Sequence, residues 1–290
     1  MDLISIQEIE KAAPIFRGKA GNAIARGLLR MLGITEIERR IEGFDIYRGP
    51  EFAKAVNAEA GMRYTVNGLG REEALEHFRK LLPDGPFITI SNHTMGALDG
   101  ISLIDFIGHL RGDYKFMVNE VLSRIEPLRK NLICVTPNGN STSTPTAQSL
   151  SGIRAAKEHL AEGGCLGLFP SGAVSDLKLF QARPAVSGHP GKKEPRVRDR
   201  EWQMSIIRFI SKAGVPVLPV RFLDGNSRFY YSLGLIDWRL RLLRLPAELL
   251  NKSGKTIRLV TGHLISPEKI AEAANLQDLR SFLRASVYSL

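Results

Sequence analysis

After residue 86 the chain alternates short apolar runs with longer stretches that have the periodicity of amphipathic helices. We predict strands for the apolar runs at 87–90, 115–118, 132–136, 165–169, 217–222 and 257–261. We predict helices for the periodic stretches at about 100–111, 146–162 and 200–213. Such alternation is typical of an α/β fold, so we expect a single domain whose mostly parallel sheet is covered by helices.

The first eighty or so residues have a different, mostly helical pattern. Between 24 and 34, four apolar residues share one side of the predicted helix and two arginines lie opposite: Ile24, Leu28, Met31 and Leu32 against Arg26 and Arg30. This pattern favours a helix that packs on a core over one that docks on a membrane. We therefore predict an N-terminal helical extension at 1–61 and the main domain at 62–290.

Two stretches rich in turn residues are predicted to be loops. Residues 137–146 are rich in Asn, Ser, Thr and Pro, and residues 181–198 contain three prolines and two glycines. The second stretch also carries many basic side chains. We expect it to lie at the surface, close to a site that binds an anion.

Charge adds a prediction about partners. Basic residues outnumber acidic ones by 40 to 30, which gives a formal net charge of +10. The excess is confined to two segments, 178–200 and 221–258, each with a net charge of +5. These basic clusters predict an anionic partner. We do not expect nucleic acid, because aromatic residues make up only 7% of the chain and no recognisable nucleic-acid-binding module contains either cluster.

Cysteine usage and hydropathy bear on the compartment. Cys134 and Cys165 lie far apart and have no metal-ligand spacing around them, which argues against a disulfide framework or a zinc site. No apolar run approaches the roughly 18 residues that span a bilayer, and the N-terminus lacks the features of a signal peptide. We expect a protein of a reducing, cytoplasmic compartment, either soluble or bound peripherally to the cytoplasmic face of the membrane, with no metal and no other cofactor.

One segment has the composition of a catalytic turn. Residues 91–100, with the sequence SNHTMGALDG, directly follow the predicted strand at 87–90, where α/β folds place catalytic groups. Asp99 is suited to accept a hydrogen bond from one nitrogen of His93, which leaves the other nitrogen to remove a proton from a substrate hydroxyl. The side chains meet only if the turn at Gly96 folds back, because residues six apart on a continuous helix face about 120° apart. From the spacing alone, a purely structural pair is the commoner alternative.

Three blocks occur in the order of the glycerolipid acyltransferase (PlsC-like) superfamily, which the chain resembles from about residue 62 to 265. They are the His93 and Asp99 segment, FPSGAVS at 169–175 and VPVLPV at 215–220. Two further segments, GNS at 225–227 and LPAELL at 245–250, are most similar to the hemolysin-like branch, which includes O-acyltransferases of lyso-aminolipids.

The resemblance implies a lysophospholipid or lyso-aminolipid O-acyltransferase that moves a fatty acyl group from an acyl thioester to a lysolipid hydroxyl. The thioester would be carried by acyl carrier protein or coenzyme A. It implies a glycerol-3-phosphate acyltransferase-like fold for 62–290, with His93 as general base and Asp99 as the acid that orients it. Substrate binding is then expected at Asn92, Gly96, Phe169, Pro170, Ser171, Gly172, Lys178 and Arg198.

The same resemblance suggests roles for two other features. Backbone N–H groups near Gly172 are candidates for stabilising an oxyanion. The basic clusters are expected to attract the anionic donor and an anionic membrane surface, at roughly 1 kcal/mol per basic residue near such a surface. The segment 236–245 interleaves arginine with apolar residues, and it fits a core-packed helix as well as an interfacial one.

The chain departs from the superfamily pattern at three places. Five residues separate His93 from Asp99, Ser171 stands where a glutamate is common, and 135–140 has no clear counterpart of an arginine block that binds the acceptor phosphate. These departures weaken the expectation of glycerol-phosphate recognition. They also leave open an alternative function, an inactive acyltransferase-like protein that binds lipid or has a regulatory role.

Overall fold

A computed structural model of the chain describes residues 6–12, 14–135, 147–182 and 193–290. Within these ranges the helices are α1 Ile6–Ala12, α2 Gly18–Met31, α3 Ile34–Arg40, α4 Gly49–Glu59, α5 Arg71–Phe78, α6 Ala97–Leu110, α7 Ala147–Ala161, α8 Met204–Ala213, α9 Arg228–Ile236, α10 Trp238–Leu250, α11 Pro267–Ala271 and α12 Leu276–Tyr288. The described strands are β1 Arg63–Val66, β2 Leu69–Gly70, β3 Ile88–Ser91, β4 Lys115–Asn119, β5 Leu132–Val135, β6 Leu166–Leu168, β7 Asp176–Ala182, β8 Lys193–Arg198, β9 Val217–Phe222 and β10 Thr256–Thr261.

Eight of the described strands form one sheet in the order β2-β1-β10-β9-β3-β6-β4-β5. Strand β3 lies near its middle and is parallel to β9 on one side and to β6 on the other. The β6, β4 and β5 strands continue in parallel, whereas β10 runs antiparallel to β9. The sheet is therefore mixed and mostly parallel. With helices on both faces, it confirms the predicted α/β class and single domain.

Two hydrophobic cores hold the sheet between layers of helices. One core includes Phe52 of α4, Phe78 of α5 and Phe106 of α6. The other joins the sheet to α7, α8 and α12, through residues such as Ile207 and Leu283. Burial of each such side chain stabilises the fold by about 1.5–3 kcal/mol. These cores hold β3 in place, and β3 in turn sets the position of the residues that follow its carboxyl end.

The predicted strands and helices of the sheet region are present. The six predicted strands correspond to β3, β4, β5, β6, β9 and β10, and the three predicted helices to α6, α7 and α8. The N-terminal helices share the larger core with the sheet, since α3 contributes Ile37 and α4 contributes Phe52. The division of the chain at residue 61 stays a prediction.

The predicted loop at 181–198 is wrong in part, because the described portion belongs to a hairpin. Strand β7 pairs antiparallel with β8, with an irregular register between Lys178 and Gln181. Prolines and charges led to the loop prediction because they are rare inside a sheet, but this hairpin lies outside the eight-stranded sheet. Residues 183–192 and the predicted loop at 137–146 lie outside the described residues.

The predominantly helical N-terminal region also contains a small hairpin. Strands β1 and β2 pair antiparallel through a turn in which Asn67 has φ 52° and Gly68 has φ 83°. Positive φ at both central residues is typical of a type I′ turn, for which Asn-Gly is the preferred pair. Strand β1 then extends the main sheet by pairing parallel with β10.

The predicted core-packed stripe of α2 is wrong in part, because Leu28 and Leu32 are half-buried but the other two residues are exposed. Gly21, Ala25 and Leu29 form its buried side, whereas Ile24 is 59% and Met31 is 71% exposed. A Cβ at Gly21 would lie 2.3 Å from the Phe16 carbonyl carbon, so the close approach of the preceding chain selects the side of small residues. Within the described ranges, the structure contains no helix of the length and apolarity needed to cross a membrane.

The segment 236–245 matches neither simple alternative. It is divided between the end of α9 and the start of α10. The usual burial of apolar and exposure of charged side chains is reversed in α10. Arg241 is buried, while Leu242 and Leu243 are 41% and 49% exposed.

Candidate active site

His93 lies directly beyond β3, at the sheet edge where parallel strands end and where α/β folds bind ligands. Helix α6 begins four residues later, at Ala97, and Asp99 lies in its first turn. One oxygen of this carboxylate, Oδ2, accepts hydrogen bonds from the backbone N–H of Met95 at 2.8 Å and of Gly96 at 3.2 Å. A carboxylate is favourable at this end of a helix, where backbone N–H groups are unpaired.

The same Asp99 oxygen lies 2.9 Å from Nδ1 of His93. Asp99 is fully buried, and the His93 side chain is 16% exposed. Burial raises the pKa of Asp99, while the hydrogen bonds from His93 and from the backbone of Met95 and Gly96 act in the opposite direction. With the ionised carboxylate as acceptor, we assign the imidazole proton to Nδ1, which leaves Nε2 to accept a proton from a substrate.

Gly96 allows the chain to fold back between the two side chains. Its backbone has φ 81° and ψ −131°, a region that residues with a Cβ rarely adopt. A Cβ at this position would also lie 2.9 Å from Cδ2 of Leu245 in α10. Glycine is therefore required here by the turn and by the packing of α10 against it.

The His93 ring is packed between the catalytic turn and the FPSG segment. It stacks on Phe169, with ring centroids 3.9 Å apart and an interplanar angle of 17°. Phe169 in turn contacts Phe116 of β4, with centroids 4.6 Å apart. This aromatic support restricts the imidazole to one orientation, which is favourable for directed proton transfer.

The backbone of His93 is held by Asp199 and Ser175, and neither contact was expected from the sequence. Its N–H donates to Oδ1 of Asp199 at 3.1 Å, and its carbonyl accepts from the N–H of Ser175 at 2.6 Å. The Ser175 hydroxyl donates to the same Asp199 oxygen at 2.5 Å. Trp202 Nε1 donates to the other oxygen at 3.1 Å. In the sequence, Asp199 is one acidic residue within the basic cluster at 178–200. Its distance along the chain from His93 did not indicate a contact.

Asn92 connects the ends of two neighbouring strands. Its amide nitrogen donates to the Phe222 carbonyl at 2.9 Å, and its amide oxygen accepts from the Phe222 N–H at 2.8 Å. The side chain is buried and both polar atoms are used in this way. The structure thus gives Asn92 a role in fixing β3 to β9, and its predicted substrate contact stays a prediction.

The FPSG segment forms a tight turn beside the imidazole. The Pro170 carbonyl accepts from the N–H of Gln203 at 2.8 Å, and the Ser171 hydroxyl donates to the Ala173 carbonyl at 2.8 Å. The Gly172 N–H donates to the Phe169 carbonyl at 2.9 Å. The Gly172 amide is therefore engaged within the turn, and an oxyanion contact from other backbone N–H groups near Gly172 stays a prediction.

The basic clusters are only partly available to a ligand. Arg241 donates to Asp176 Oδ1 at 2.5 Å and to the Ser175 carbonyl at 2.9 Å, and it is almost completely buried. Lys252 is also buried, which lowers its pKa. The second cluster is thus not the continuous docking surface that its charge suggested.

The two predicted binding residues of the first cluster lie on the hairpin. Lys178 Nζ is 3.7 Å from Asp176 Oδ2. The Arg198 guanidinium lies 5.3 Å from the centroid of the Tyr288 ring. Within the described ranges, no group of three or more His, Cys, Asp or Glu side chains has an arrangement that holds a metal ion.

Comparison with known proteins places this site in a family. The chain is 22% identical over 223 residues to a lyso-glycine lipid O-acyltransferase of Phocaeicola vulgatus, with 74% of this chain and 72% of that protein covered. It is also 22% identical over 214 residues to a lyso-glycine lipid O-acyltransferase of Bacteroides thetaiotaomicron, with 71% of each chain covered.

A solved structure is also similar. The 1-acyl-sn-glycerophosphate acyltransferase PlsC of Thermotoga maritima matches with a TM-score of 0.49 and 18% identity, over 83% of this chain and 75% of that chain. The profile of the family described as Acyltransferase matches residues 7–290. Because that match covers nearly the whole sequence, the protein belongs to the Acyltransferase family and is an acyltransferase.

Proposed function

We propose that this acyltransferase transfers a fatty acyl group from an acyl thioester to the hydroxyl of a lysolipid. One observation carries the proposal: His93 Nδ1 lies 2.9 Å from the buried Asp99 carboxylate, on an imidazole that is still partly exposed. A histidine oriented in this way removes a proton from a hydroxyl, which is the step that makes the acceptor nucleophilic. No serine or cysteine of the protein has to form an acyl intermediate.

The proposed reaction has two stages. Nε2 of His93 takes the proton of the acceptor hydroxyl while the oxygen attacks the thioester carbonyl carbon and forms a tetrahedral oxyanion. The intermediate then collapses, the carbon–sulfur bond breaks, and the imidazolium gives its proton to the departing thiolate. Asp99 accepts the Nδ1 hydrogen bond throughout and stabilises the imidazolium by its negative charge. The products are the O-acylated lipid and a free thiol.

We infer that the acceptor is a lysolipid with an amino-acid headgroup. The two relatives described above are both named lyso-glycine lipid O-acyltransferase. The third departure from the superfamily pattern agrees with this choice, since 135–140 contains no clear arginine block for a phosphate headgroup. Phe169, which stacks on the imidazole, and the turn at 170–172 that follows it are the proposed surroundings of the reacting groups.

We infer that the protein meets its lipid at an anionic membrane surface. Large apolar side chains are exposed on three helices: Ile24 and Met31 on α2, Leu235 and Ile236 on α9, and Leu242 and Leu243 on α10. Helix α3 packs against α10, since a Cβ at Gly33 would lie 3.0 Å from Leu250. The N-terminal helices and α10 are therefore neighbours. A helix that exposes apolar side chains on one side and arginines on the other, as α2 does with Ile24 and Arg26, is typical of a membrane interface.

The decisive experiment is an assay of the purified protein with labelled acyl thioesters and a panel of lysolipids. We expect transfer to lyso-glycine lipid in the wild type, loss of transfer in His93→Ala, and normal transfer in His77→Ala, which replaces an exposed histidine of α5. Turnover in His93→Ala above a tenth of wild type would disprove the mechanism. A folded wild type that binds lysolipid without transfer from any thioester would instead favour the lipid-binding alternative.

A further inference from the structure

The GNS segment at 225–227 and the LPAELL segment at 245–250 meet at a small polar cleft that the proposed mechanism does not use. GNS follows β9, and LPAELL forms the end of α10. The cleft has a volume of about 200 Å³ and is lined by Gly225, Asn226, Ser227, Glu248, Asn251, Lys252 and Lys255. Sites for cofactors and drug-sized ligands have roughly 300–1,000 Å³, so this cleft suits a small polar group.

Asn226 brings an unpaired amide to the cleft. Its side chain is 9% exposed, and neither its amide nitrogen nor its amide oxygen has a hydrogen bond to a described atom. The Tyr230 hydroxyl lies near this amide and is unpaired as well, but one hydroxyl satisfies only one of the two amide atoms. A buried amide without a partner costs free energy, so its place in the lining of a cleft indicates a polar ligand.

The carboxylates around the cleft already have partners. Glu248 accepts the Ser227 N–H at 2.8 Å and the Ser227 hydroxyl at 2.7 Å. Nε of Arg244, a residue outside the lining, is 3.6 Å from the same carboxylate and offsets its charge. Asp224 lies behind the GNS segment and pairs with Arg258 at 2.8 Å. The donors of the cleft are therefore not consumed by these acids.

Two lysines supply the donors. Lys252 is buried, and its Nζ donates to the Gly225 carbonyl, which uses one of the three N–H bonds of the ammonium. Lys255 is exposed, and its ammonium makes no ion pair with a described residue. The carboxylates that attract the Lys252 ammonium are those of Glu248, Asp99 and Asp224, whereas Lys255 repels it. A carboxylate between the two ammonium groups would relieve that repulsion and leave the existing contacts intact.

The cleft is fixed to the residue that follows His93. The Thr94 hydroxyl donates to the Asp224 carbonyl at 2.7 Å, and the Thr94 carbonyl accepts from the Tyr231 hydroxyl at 2.8 Å. The same Tyr231 hydroxyl accepts the Asn226 N–H at 3.1 Å. The unpaired amide and the proposed base are thus connected through two side chains.

We propose that this cleft binds the headgroup carboxylate of the amino-acid lysolipid that accepts the acyl group. The inference rests on the proposed function, which supplies the acceptor. An amino acid linked through its nitrogen presents a free carboxylate, which matches the two ammonium groups, and an amide, which matches the donor and acceptor atoms of Asn226. A phosphate monoester carries a charge of about −1.5 to −2 at pH 7, and Glu248 at the same cleft disfavours so large a negative charge.

The first test compares two acceptors that differ only in the headgroup carboxylate, lyso-glycine lipid and its glycinamide. In the wild type we expect a KM at least tenfold lower for the carboxylate. In Lys255→Gln that KM should rise at least fivefold, while the KM for the acyl thioester changes less than twofold. Lys80→Gln, at an exposed lysine beyond α5, is the matched control and should behave as the wild type. Equal KM values for the two acceptors in the wild type overturn the proposal.

Asn226→Leu keeps the size of the side chain and removes both polar atoms. We expect the KM for lyso-glycine lipid to rise at least tenfold, with a thermal stability equal to that of the wild type or higher, because an unpaired amide is replaced by an apolar group. An unchanged KM would show that Asn226 serves the fold or holds only water, and would overturn its part in the site. Because Lys255 is exposed, its variant keeps the proposal testable if Asn226→Leu fails to fold.

Calorimetric titration with N-octanoylglycine, which has the headgroup but no acceptor hydroxyl, separates this inference from the proposed function. Binding of this compound but not of N-octanoylglycinamide, weakened in Lys255→Gln, supports the cleft even if no lysolipid is acylated. Absence of binding to the wild type overturns it even if transfer occurs. Stronger binding of glycine octyl ester, which presents an ammonium group, would point to Glu248 as the binding group and would also overturn it.

Discussion

The backbone N–H of His93 donates to Oδ1 of Asp199, 106 residues later in the chain, over 3.1 Å. The same oxygen accepts the Ser175 hydroxyl at 2.5 Å, and the Ser175 N–H donates back to the His93 carbonyl. Both backbone polar groups of the proposed base are therefore fixed by a buried acid and its neighbour. The imidazole owes its orientation to Asp99 and Phe169, but its position along the sheet edge depends on Asp199.

We predict that Asp199 is a positioning residue for the reaction. Asp199→Ala should lower kcat about 10–100-fold with little change in the KM for lysolipid, because misplacing a base by a fraction of an ångström is costly. Asp199→Asn keeps one acceptor oxygen and should recover part of the loss. Steady-state kinetics of both variants measure this, with Asp84→Asn, an exposed acid, as control. A fall in thermal stability without a fall in kcat would show a role in folding only.

Asp99→Asn should separate activity from stability. The neutral amide no longer fixes the Nδ1 proton or stabilises the imidazolium, so kcat should fall on the order of 10³-fold. Burial raises the pKa of Asp99, so its carboxylate is harder to ionise in the folded protein than in the unfolded chain. Asp99 therefore favours the folded state at low pH, where it is protonated. This contribution to stability is lost as the pH rises through the folded pKa. At neutral pH the free energy of unfolding of the variant should therefore equal that of the wild type or exceed it by up to about 1 kcal/mol.

Urea unfolding and single-turnover assays of the same preparations check the Asp99 prediction. A variant that unfolds markedly more easily than the wild type would show that the carboxylate is retained for stability. Retention of most of the wild-type kcat would show that it is not needed for proton transfer.

Gly96→Ala should impair both folding and catalysis. The φ of 81° costs about 1–3 kcal/mol for a residue with a Cβ, and the new methyl group would meet Leu245 at 2.9 Å. Adding Leu245→Ala removes the steric contact but leaves the backbone strain. If the double variant regains the full thermal stability of Leu245→Ala alone, the strain argument is wrong.

A second buried network, formed around Asp105 of α6, should affect the stability of the protein in acid but not its activity. Burial on its own would raise the pKa of Asp105, but hydrogen bonds from His109, Arg71 and Asn57 outweigh it and lower that pKa. The ionised carboxylate therefore stabilises the fold above its unfolded pKa of about 4, and this contribution disappears as the pH falls through the folded pKa. Asp105→Asn should cost about 3 kcal/mol at pH 7, because Arg71 loses its partner.

The role of Asp105 is tested by the midpoints of urea unfolding between about pH 3 and pH 8, a range that includes the ordinary aspartate pKa of about 4. The difference between wild type and variant should shrink on acidification, and the KM values of the folded variant should be normal. A difference that does not vary with pH would exclude the carboxylate charge as its cause.

The exposed leucines of α10 should contribute to membrane binding. Leu242→Gln/Leu243→Gln should weaken sedimentation with anionic lipid vesicles by about tenfold, since each side chain loses part of the 1.5–3 kcal/mol available on full burial. Leu150→Gln replaces a comparably exposed leucine on α7 and is the control. Equal sedimentation of all three proteins would show that α10 does not contact the membrane. Binding that does not change with salt would show that the basic side chains do not contribute to it.

The sheet and the contact between His93 and Asp99 could be predicted from the sequence because both depend on local patterns. Apolar runs identified β3 and its neighbours, and the spacing around Gly96 required the fold-back that brings His93 to Asp99. The outward face of α2 was missed because two of the three residues on its buried side, Gly21 and Ala25, are small and add little to a hydrophobic pattern. The contact of Asp199 with His93 was missed because it joins residues far apart in the chain and leaves no trace in local spacing.

Arg241 has a consequence for the order in which the protein becomes active. Its guanidinium holds the carbonyl of Ser175, which in turn holds His93, and Phe222 of β9 holds Asn92. During synthesis the catalytic turn leaves the ribosome long before β9 and α10 do. A nascent chain that ends before them already contains His93 and Asp99 but lacks the residues that place them. We therefore expect acyl transfer to begin only after β9 has joined the sheet and Arg241 of α10 has bonded to Ser175.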